Sequence, residues 1–493
     1  MLNRKNLIPA GITLITVAGL VGCGGGGGGR DGKKTGASVA PITSNPAPVT
    51  SRNNPNPPAP VVTPTTPVTG NPDAVVASAL LQELDVFDYA KGTQKASIAL
   101  SGAPTSVAVN GTYAYVAGMN QKISVVDLLT NTVAYEMDAT GAGITNLPLI
   151  GNTVDGVVKP LCRPTGIAVM PNGTKAFSAN LINVTSYDLL GKKAHNSIFS
   201  LNLSLSLGGS SGILSAITTS LQNFLAQPLA ALGQARVATS NKTCFVTNTV
   251  TSNVTVISAS DDKVIGYTPV GTLPLGVAAA NGKGYVACAI SNEIYVLDEK
   301  TGNVLSHFAA GQVPVDVTAS PTGDKVYVAN FIGGDITVID TATDLPVNTI
   351  PAGISLANIF QQLGVSLPAS SGGSGIGGFL TSFLSGFLGG SGGTATGVGG
   401  LLSGIGPQPV GQILNGLLSA FLGYAGLTQQ SLQGMNMPGI GIIGVSVSAS
   451  GTHVLGANLL FGLSVTDVPM KNVTAPMLLT GQGMGVDAVA AGR

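Results

Sequence analysis

The chain has 493 residues, of which only 9% are charged, 22 basic against 22 acidic, for a formal net charge of zero. That balance excludes capture of DNA, RNA or acidic lipid through bulk electrostatics. So sparse a charge density also leaves the surface weakly self-repelling, which points to part of it being covered by membrane, matrix or partner.

The first 23 residues set Arg4 and Lys5 before an apolar run over residues 7–21 and end LVGC at 20–23, the pattern of an export segment. The small residues before Cys23 resemble a bacterial lipoprotein signal. The resemblance implies cleavage before Cys23, lipidation at that cysteine and attachment to the cell envelope. Gly24 in place of Asp at the next position implies transfer to the outer membrane or cell surface. An ordinary cleaved signal with a fortuitous cysteine stays open as the alternative.

Residues 24–70 begin with six glycines and become a Pro/Thr/Asn/Val stretch that includes NPPAPVVTPTTP at 56–67. This composition cannot bury enough apolar surface to fold, and its prolines favour extended geometry. It reads as a tether between the anchor and a folded body at 71–493.

In that body a module of about forty residues recurs. Its fullest copy has a first strand PVDVTAS at 314–320, a turn at 321–324, a second strand at 326–329, a loop at 331–334, a third strand at 336–339, a turn opened by Asp340, and a fourth strand at 347–350. The Asp340 carboxylate can accept N–H bonds from its own turn, a structural role. Asn248, Cys288 and Asn330 close equivalent second strands at intervals of 40 and 42 residues, the period of a propeller blade.

VYVAN at 326–330 and ITVID at 336–340, with partner copies at 107–127, 167–188, 245–258, 277–298 and 445–467, resemble the YVTN-type β-propeller repeat family. The resemblance implies an all-β ring of four-stranded blades. Residues 73–101 hold second, third and fourth strands but no first, and GVDAVAA at 485–491 resembles a first strand with nothing after it. Pairing the two ends closes the ring and removes exposed edges. The count comes to seven blades, with six or eight left open by two degenerate copies and by inserts.

Two apolar inserts interrupt the period, at 208–233 and 354–441. Helical spacing at positions 213, 214, 217, 221, 224 and 225 predicts a helix in the first, and residues 356–363, 376–388 and 413–427 predict helices in the second. Each falls short of the roughly 20 residues that cross a hydrocarbon core. Packing on each other or on one face of the ring, lying on a membrane or on a protein partner, and disorder are the alternatives.

Catalytic groups are sparse. His195, His307 and His453 fall in three different copies at non-equivalent positions, and no GxSxG, GxxxxGK[ST], HExxH or calcium-loop pattern occurs. After Cys23, the odd trio Cys162, Cys244 and Cys288 rules out a complete disulfide framework and predicts buried free thiols; without CxxC or CxxCH, neither a zinc knuckle nor attached haem is expected. No cofactor, metal or catalytic residue is therefore assigned.

The loops after the second strands, at 119–122, 181–182, 249–253, 289–293, 331–334 and 459–462, form the candidate binding face. Asn120, Gln121, Asn183, Asn253, Asn292, Glu293, Phe331, Asp335 and Phe461 are its candidate residues. Amides and apolar groups with few charges suit a protein or polymer partner in the envelope better than a charged metabolite. The reading is a lipid-anchored binding or scaffold protein, more in keeping with a non-enzyme. A propeller enzyme (lyase, hydrolase or quinone-dependent dehydrogenase) and a structural surface or matrix subunit stand as alternatives.

Overall fold

The computed structural model describes residues 73–491 apart from 79–81, 89–90, 92, 141–162, 181–182, 201–233, 354, 356, 359–439, 461, 468–471 and 478–485. The expected leader and tether, with Cys23, lie outside the described residues.

Among the described residues, twenty-eight strands form seven four-stranded antiparallel sheets. The chain opens with β1 (Asp73–Ser78), β2 (Glu83–Asp88) and β3 (Thr93–Ala99). The next sheet is β4 (Pro104–Asn110), β5 (Tyr113–Gly118), β6 (Lys122–Asp127) and β7 (Thr132–Asp138). It is followed by β8 (Gly166–Val169), β9 (Lys175–Ala179), β10 (Asn183–Asp188) and β11 (Lys193–Phe199). Then come β12 (Gln234–Thr239), β13 (Thr243–Asn248), β14 (Asn253–Ser258) and β15 (Val264–Pro269), and β16 (Pro274–Ala280), β17 (Lys283–Cys288), β18 (Glu293–Asp298) and β19 (Val304–Ala309). The last two sets are β20 (Pro314–Ala319), β21 (Lys325–Asn330), β22 (Asp335–Asp340) and β23 (Leu345–Pro351), and β24 (Ile440–Val447), β25 (His453–Leu460), β26 (Gly462–Asp467) and β27 (Asn472–Met477). Finally β28 (Val486–Ala491) returns to the first sheet, giving the order β28-β1-β2-β3.

That return places Ala74 opposite Ala491 and Val76 opposite Val489. The first strands β4, β8, β12, β16, β20, β24 and β28 each pack against the next, and β28 packs against β4, so the inner strands close a ring. Among the described residues, the first and last strands thus complete one sheet between them.

The core is a series of layers between neighbouring sheets. Phe177, Phe245, Tyr285 and Tyr327, each near the middle of a second strand, are fully buried, and a Cβ on Gly284 would lie 2.8 Å from the Phe245 ring. The glycine is therefore what lets one sheet's aromatic ring seat against the next.

Polar residues of the module join sheets as well. Asn248 and Asn330 end second strands and Asn180 directly follows one, and each Nδ2 donates to a threonine in the adjoining third strand: Thr185 at 3.0 Å for Asn180, Thr255 at 2.7 Å for Asn248 and Thr337 at 2.8 Å for Asn330. Thr185 and Thr255 then donate to Ala139 O and Ser200 O, just past the outer strand of the preceding sheet, at 3.1 and 2.6 Å. The asparagine is thus a bracket between sheets. Turn aspartates act as expected: Asp127, Asp188, Asp298 and Asp340 accept backbone N–H bonds from the two or three residues after them.

Alternating strand direction gives the ring two faces. The turn face carries the first-to-second and third-to-fourth turns. The link face carries the second-to-third loops and the links between sheets, stitched by Ala139 N donating to Gln121 O at 2.8 Å and Ala310 N to Asn292 O at 2.8 Å.

The expected inserts fall on the β11–β12 and β23–β24 links. Residues 208–233 and 359–439 lie outside the described residues, and within the second insert Ala357 and Asn358 alone are described as helical. That insert ends earlier than the sequence suggests, because Ile440 already pairs with Leu460 in β24. Gly441, with φ of 67°, belongs to the start of this strand, where a glycine reads as a spacer. A third long link, residues 139–165, is not singled out by the sequence pattern.

Candidate functional site

The inner strands surround a channel of about 490 Å³. Its lining is Val, Ala, Ser and Thr for most of its length and reaches the turn face at Asn241, Asn281 and Pro321. One inner-strand slot differs sharply among sheets. It lies just before the ladder-paired Val107, Ile167, Val237, Val277, Val317 and Val445, and it holds Ser106, Gly166, Arg236, Gly276, Asp316 and Gly444.

The two charges in that slot meet. Arg236 Nε lies 3.6 Å from Asp316 Oδ1, with 11% and 16% of the side chains exposed. Their strands β12 and β20 are separated by β16, whose slot residue is Gly276. A Cβ on Gly276 would lie 2.6 Å from Asp316 Cα, so glycine is what lets β16 lie this close to the Asp316 backbone. Arg236 Nη1 also donates to Thr165 O at 3.3 Å, and Asp316 Oδ2 accepts Val445 N at 3.0 Å. Burial pushes the Asp316 carboxyl above its ordinary range, and the neighbouring Arg236 guanidinium pulls the other way. The result is a polar brace across the channel.

The residues expected on the link face divide by environment. Asn120 is exposed and donates to Ser101 Oγ at 2.7 Å; Gln121 turns the backbone with φ of 66°. Asn183 and Asn253 are buried at the starts of third strands, bonded to Ser197 and Asn248. Asp335 accepts from Asn330 Nδ2 at 2.7 Å, and Asn292 Oδ1 accepts Val313 N at 2.8 Å. Phe331 is buried, and Glu293 lies 3.3 Å from His307 Nδ1. Phe461 lies outside the described residues. Several of these side chains therefore build the face from within, while Asn120 stands on its surface.

The histidines stay apart. His195 lies in the outer strand β11, with Nε2 3.8 Å from Asp262 Oδ2; His307 stacks on Tyr295 in another sheet; His453 contacts Thr452 Oγ1 at 2.8 Å in a third. Among the described residues no three His, Cys, Asp or Glu side chains gather as metal ligands would. Cys244 and Cys288 are free and buried, and burial raises both thiols, Cys288 to about 12. Cys162 lies outside the described residues.

Arg236 and Asp316 are what sequence reasoning missed. The available signal was a charge at an inner-strand slot that sister copies fill with Ser or Gly.

Many solved chains share this architecture. The crystal structure of a functionally unknown protein from Desulfotomaculum acetoxidans is similar over 85% of this chain and 99% of that one, at 11% identity and a TM-score of 0.50. The fold is that of a β-propeller. At such identity the likeness speaks of fold alone. No protein-family model and no curated protein matches the sequence.

Proposed function

We propose that this protein is a lipid-anchored binding or scaffold module of the cell envelope, a YVTN-type propeller that holds a protein or polymer partner on its link face. The observation that carries the reading is topological. The three longest links, 139–165, 200–233 and 352–439, all leave from the face that also carries the second-to-third loops. Insertions on one face of a regular ring enlarge that face without disturbing sheet pairing, which is how propellers acquire binding sites. Few charges and exposed amides such as Asn120 suit a neutral polymer or protein surface.

A propeller enzyme is the second reading, and the charged pair in the channel is the feature that raises it. Arg236 and Asp316 are already committed to each other and to Thr165 O and Val445 N, which supports bracing over chemistry.

The test is a pull-down from envelope extract with residues 71–493, beside a version in which residues 201–233 and 359–439 are replaced by short Gly/Ser links. A partner retained by the first and lost by the second supports the reading; equal retention, or none by either, contradicts it. Anchoring is tested apart from this by Cys23→Ser, which is expected to release the full chain from membranes.

A further inference from the structure

Among the described residues, every large apolar side chain left exposed lies at or beside the turn face. Leu129 and Leu190 tip third-to-fourth turns and are 74% and 85% exposed; Tyr113 opens β5 at the same level. Val133, Ile265, Val304, Leu305, Leu345 and Val347 occupy the first half of an outermost strand, the half that starts from this face.

The turns themselves do not require apolar tips. The slot of Leu129 and Leu190, two residues after the turn aspartate, is Ser260, Lys300 and Ala342 in three other sheets. Leucine occurs there in two neighbouring sheets, β4–β7 and β8–β11. Asp127 and Asp188 are held at the base of these turns, accepting Leu129 N at 2.8 Å and Leu190 N at 3.1 Å, so the tips project beyond the carboxylates. Beside them Lys192 lies 4.7 Å over the Tyr135 ring, and Lys193 opens β11.

The first described strand begins on this side as well. Asp73, where β1 begins, pairs with Asp88, the turn aspartate of its sheet. Asp73, the first described residue, therefore lies at the turn face, at the opposite end of its sheet from the second-to-third loop.

We infer that this face rests on a lipid bilayer, with Leu129 and Leu190 entering the headgroup boundary and Lys192 and Lys193 meeting anionic headgroups. Aliphatic tips flanked by lysine and tyrosine are the chemistry of interfacial insertion, and binding then scales with buried apolar area plus local attraction to anionic lipid. With no net charge on the chain, the leucines carry most of the affinity and the lysines add to it. The inference goes beyond the envelope reading above and needs no lipid on Cys23. It leaves the link face turned away from the bilayer.

The test uses residues 71–493, which contain every sheet of the closed ring and lack Cys23, in flotation with phosphatidylethanolamine/phosphatidylglycerol vesicles. The body is expected to float. Leu129→Ser with Leu190→Ser, serine being the residue of the same slot at Ser260, is expected to weaken binding about tenfold or more with an unchanged unfolding midpoint. Lys192→Gln and Lys193→Gln each weaken binding to these vesicles by about fivefold, an effect absent with neutral vesicles. A body that stays at the bottom of the gradient overturns the inference. So does flotation unaltered by the leucine substitutions, including the case in which they abolish only self-association. Because the body carries no anchor, failure here leaves the anchoring result from Cys23→Ser untouched.

Discussion

Arg236 and Asp316 reach each other at 3.6 Å past a strand that belongs to neither, which Gly276 lets lie close against the Asp316 backbone. Removing one partner leaves the other charge buried against the channel wall. Arg236→Met is expected to cost about 3 kcal/mol of stability, and Arg236→Met with Asp316→Leu together close to none, the usual pattern for a buried pair. The pH dependence has a definite sign. Burial raises the folded-state value of Asp316 above its unfolded one, so its contribution is most favourable at acid pH and declines as pH rises through the folded value. Without Arg236 that value rises further. The loss in Arg236→Met should be full near neutrality and shrink towards about pH 4, as urea unfolding at several pH values would reveal.

Lys283 and Asp344 clamp two neighbouring sheets at 2.7 Å, and Tyr285 OH donates to the same carboxylate at 2.6 Å. Lys175 and Asp262 repeat the contact two sheets earlier in the chain order, at 3.1 Å. Asp262 and Asp344 both have left-handed backbones, with φ of 58° and 56°. Asn accepts that conformation far better than Ala does. Asp344→Asn is therefore expected to cost about 1–3 kcal/mol, the worth of the charge-assisted bonds, and Asp344→Ala more. Tyr285, raised by burial and then by Asp344, should ionise at lower pH in Asp344→Asn than in the parent, read by ultraviolet absorbance.

Asn330 is pinned by Thr337 and Asp335, and a Cβ on Gly311 would fall 2.2 Å from its Nδ2. Asn330→Ala should cost about 1–3 kcal/mol by stranding those acceptors. Gly311→Ala should destabilise as well, because Asn330 has nowhere to move. Substituting both together should cost less than the sum of the single losses, since Ala at 330 leaves room for the new methyl. Additive losses in thermal unfolding would refute this packing relation.

Cys244 and Cys288 should resist alkylation at about pH 8 while the protein is folded and react once it is denatured, because burial keeps both as thiols. Peptide mapping after labelling reads each site separately. Labelling of Cys288 in the folded state would contradict its buried position.

Strand positions were readable because inner and middle strands alternate or run apolar between turn residues, as VYVAN and ITVID do. Closure was readable too, since residues 73–101 lack a first strand that 485–491 supplies. The brace was not. Arg236 and Asp316 lie 80 positions apart, and their contact depends on ring curvature and on a glycine in a third strand. Asn183, Asn253 and Asp335 read as loop residues because they border short loops, yet they begin strands and their side chains turn to partners inside the sheets. The opposed characters of the two faces emerge only once every turn is sorted by the end of the sheet it occupies.

The central claim is that the two faces of this ring meet different things, and photo-crosslinking in intact envelopes tests it most directly. A photoreactive side chain at Asn120, exposed on the link face, should capture a protein or polymer; the same group at Leu190, at a turn tip, should give lipid adducts and no macromolecular one. A macromolecular adduct at Leu190 with none at Asn120 would contradict the account.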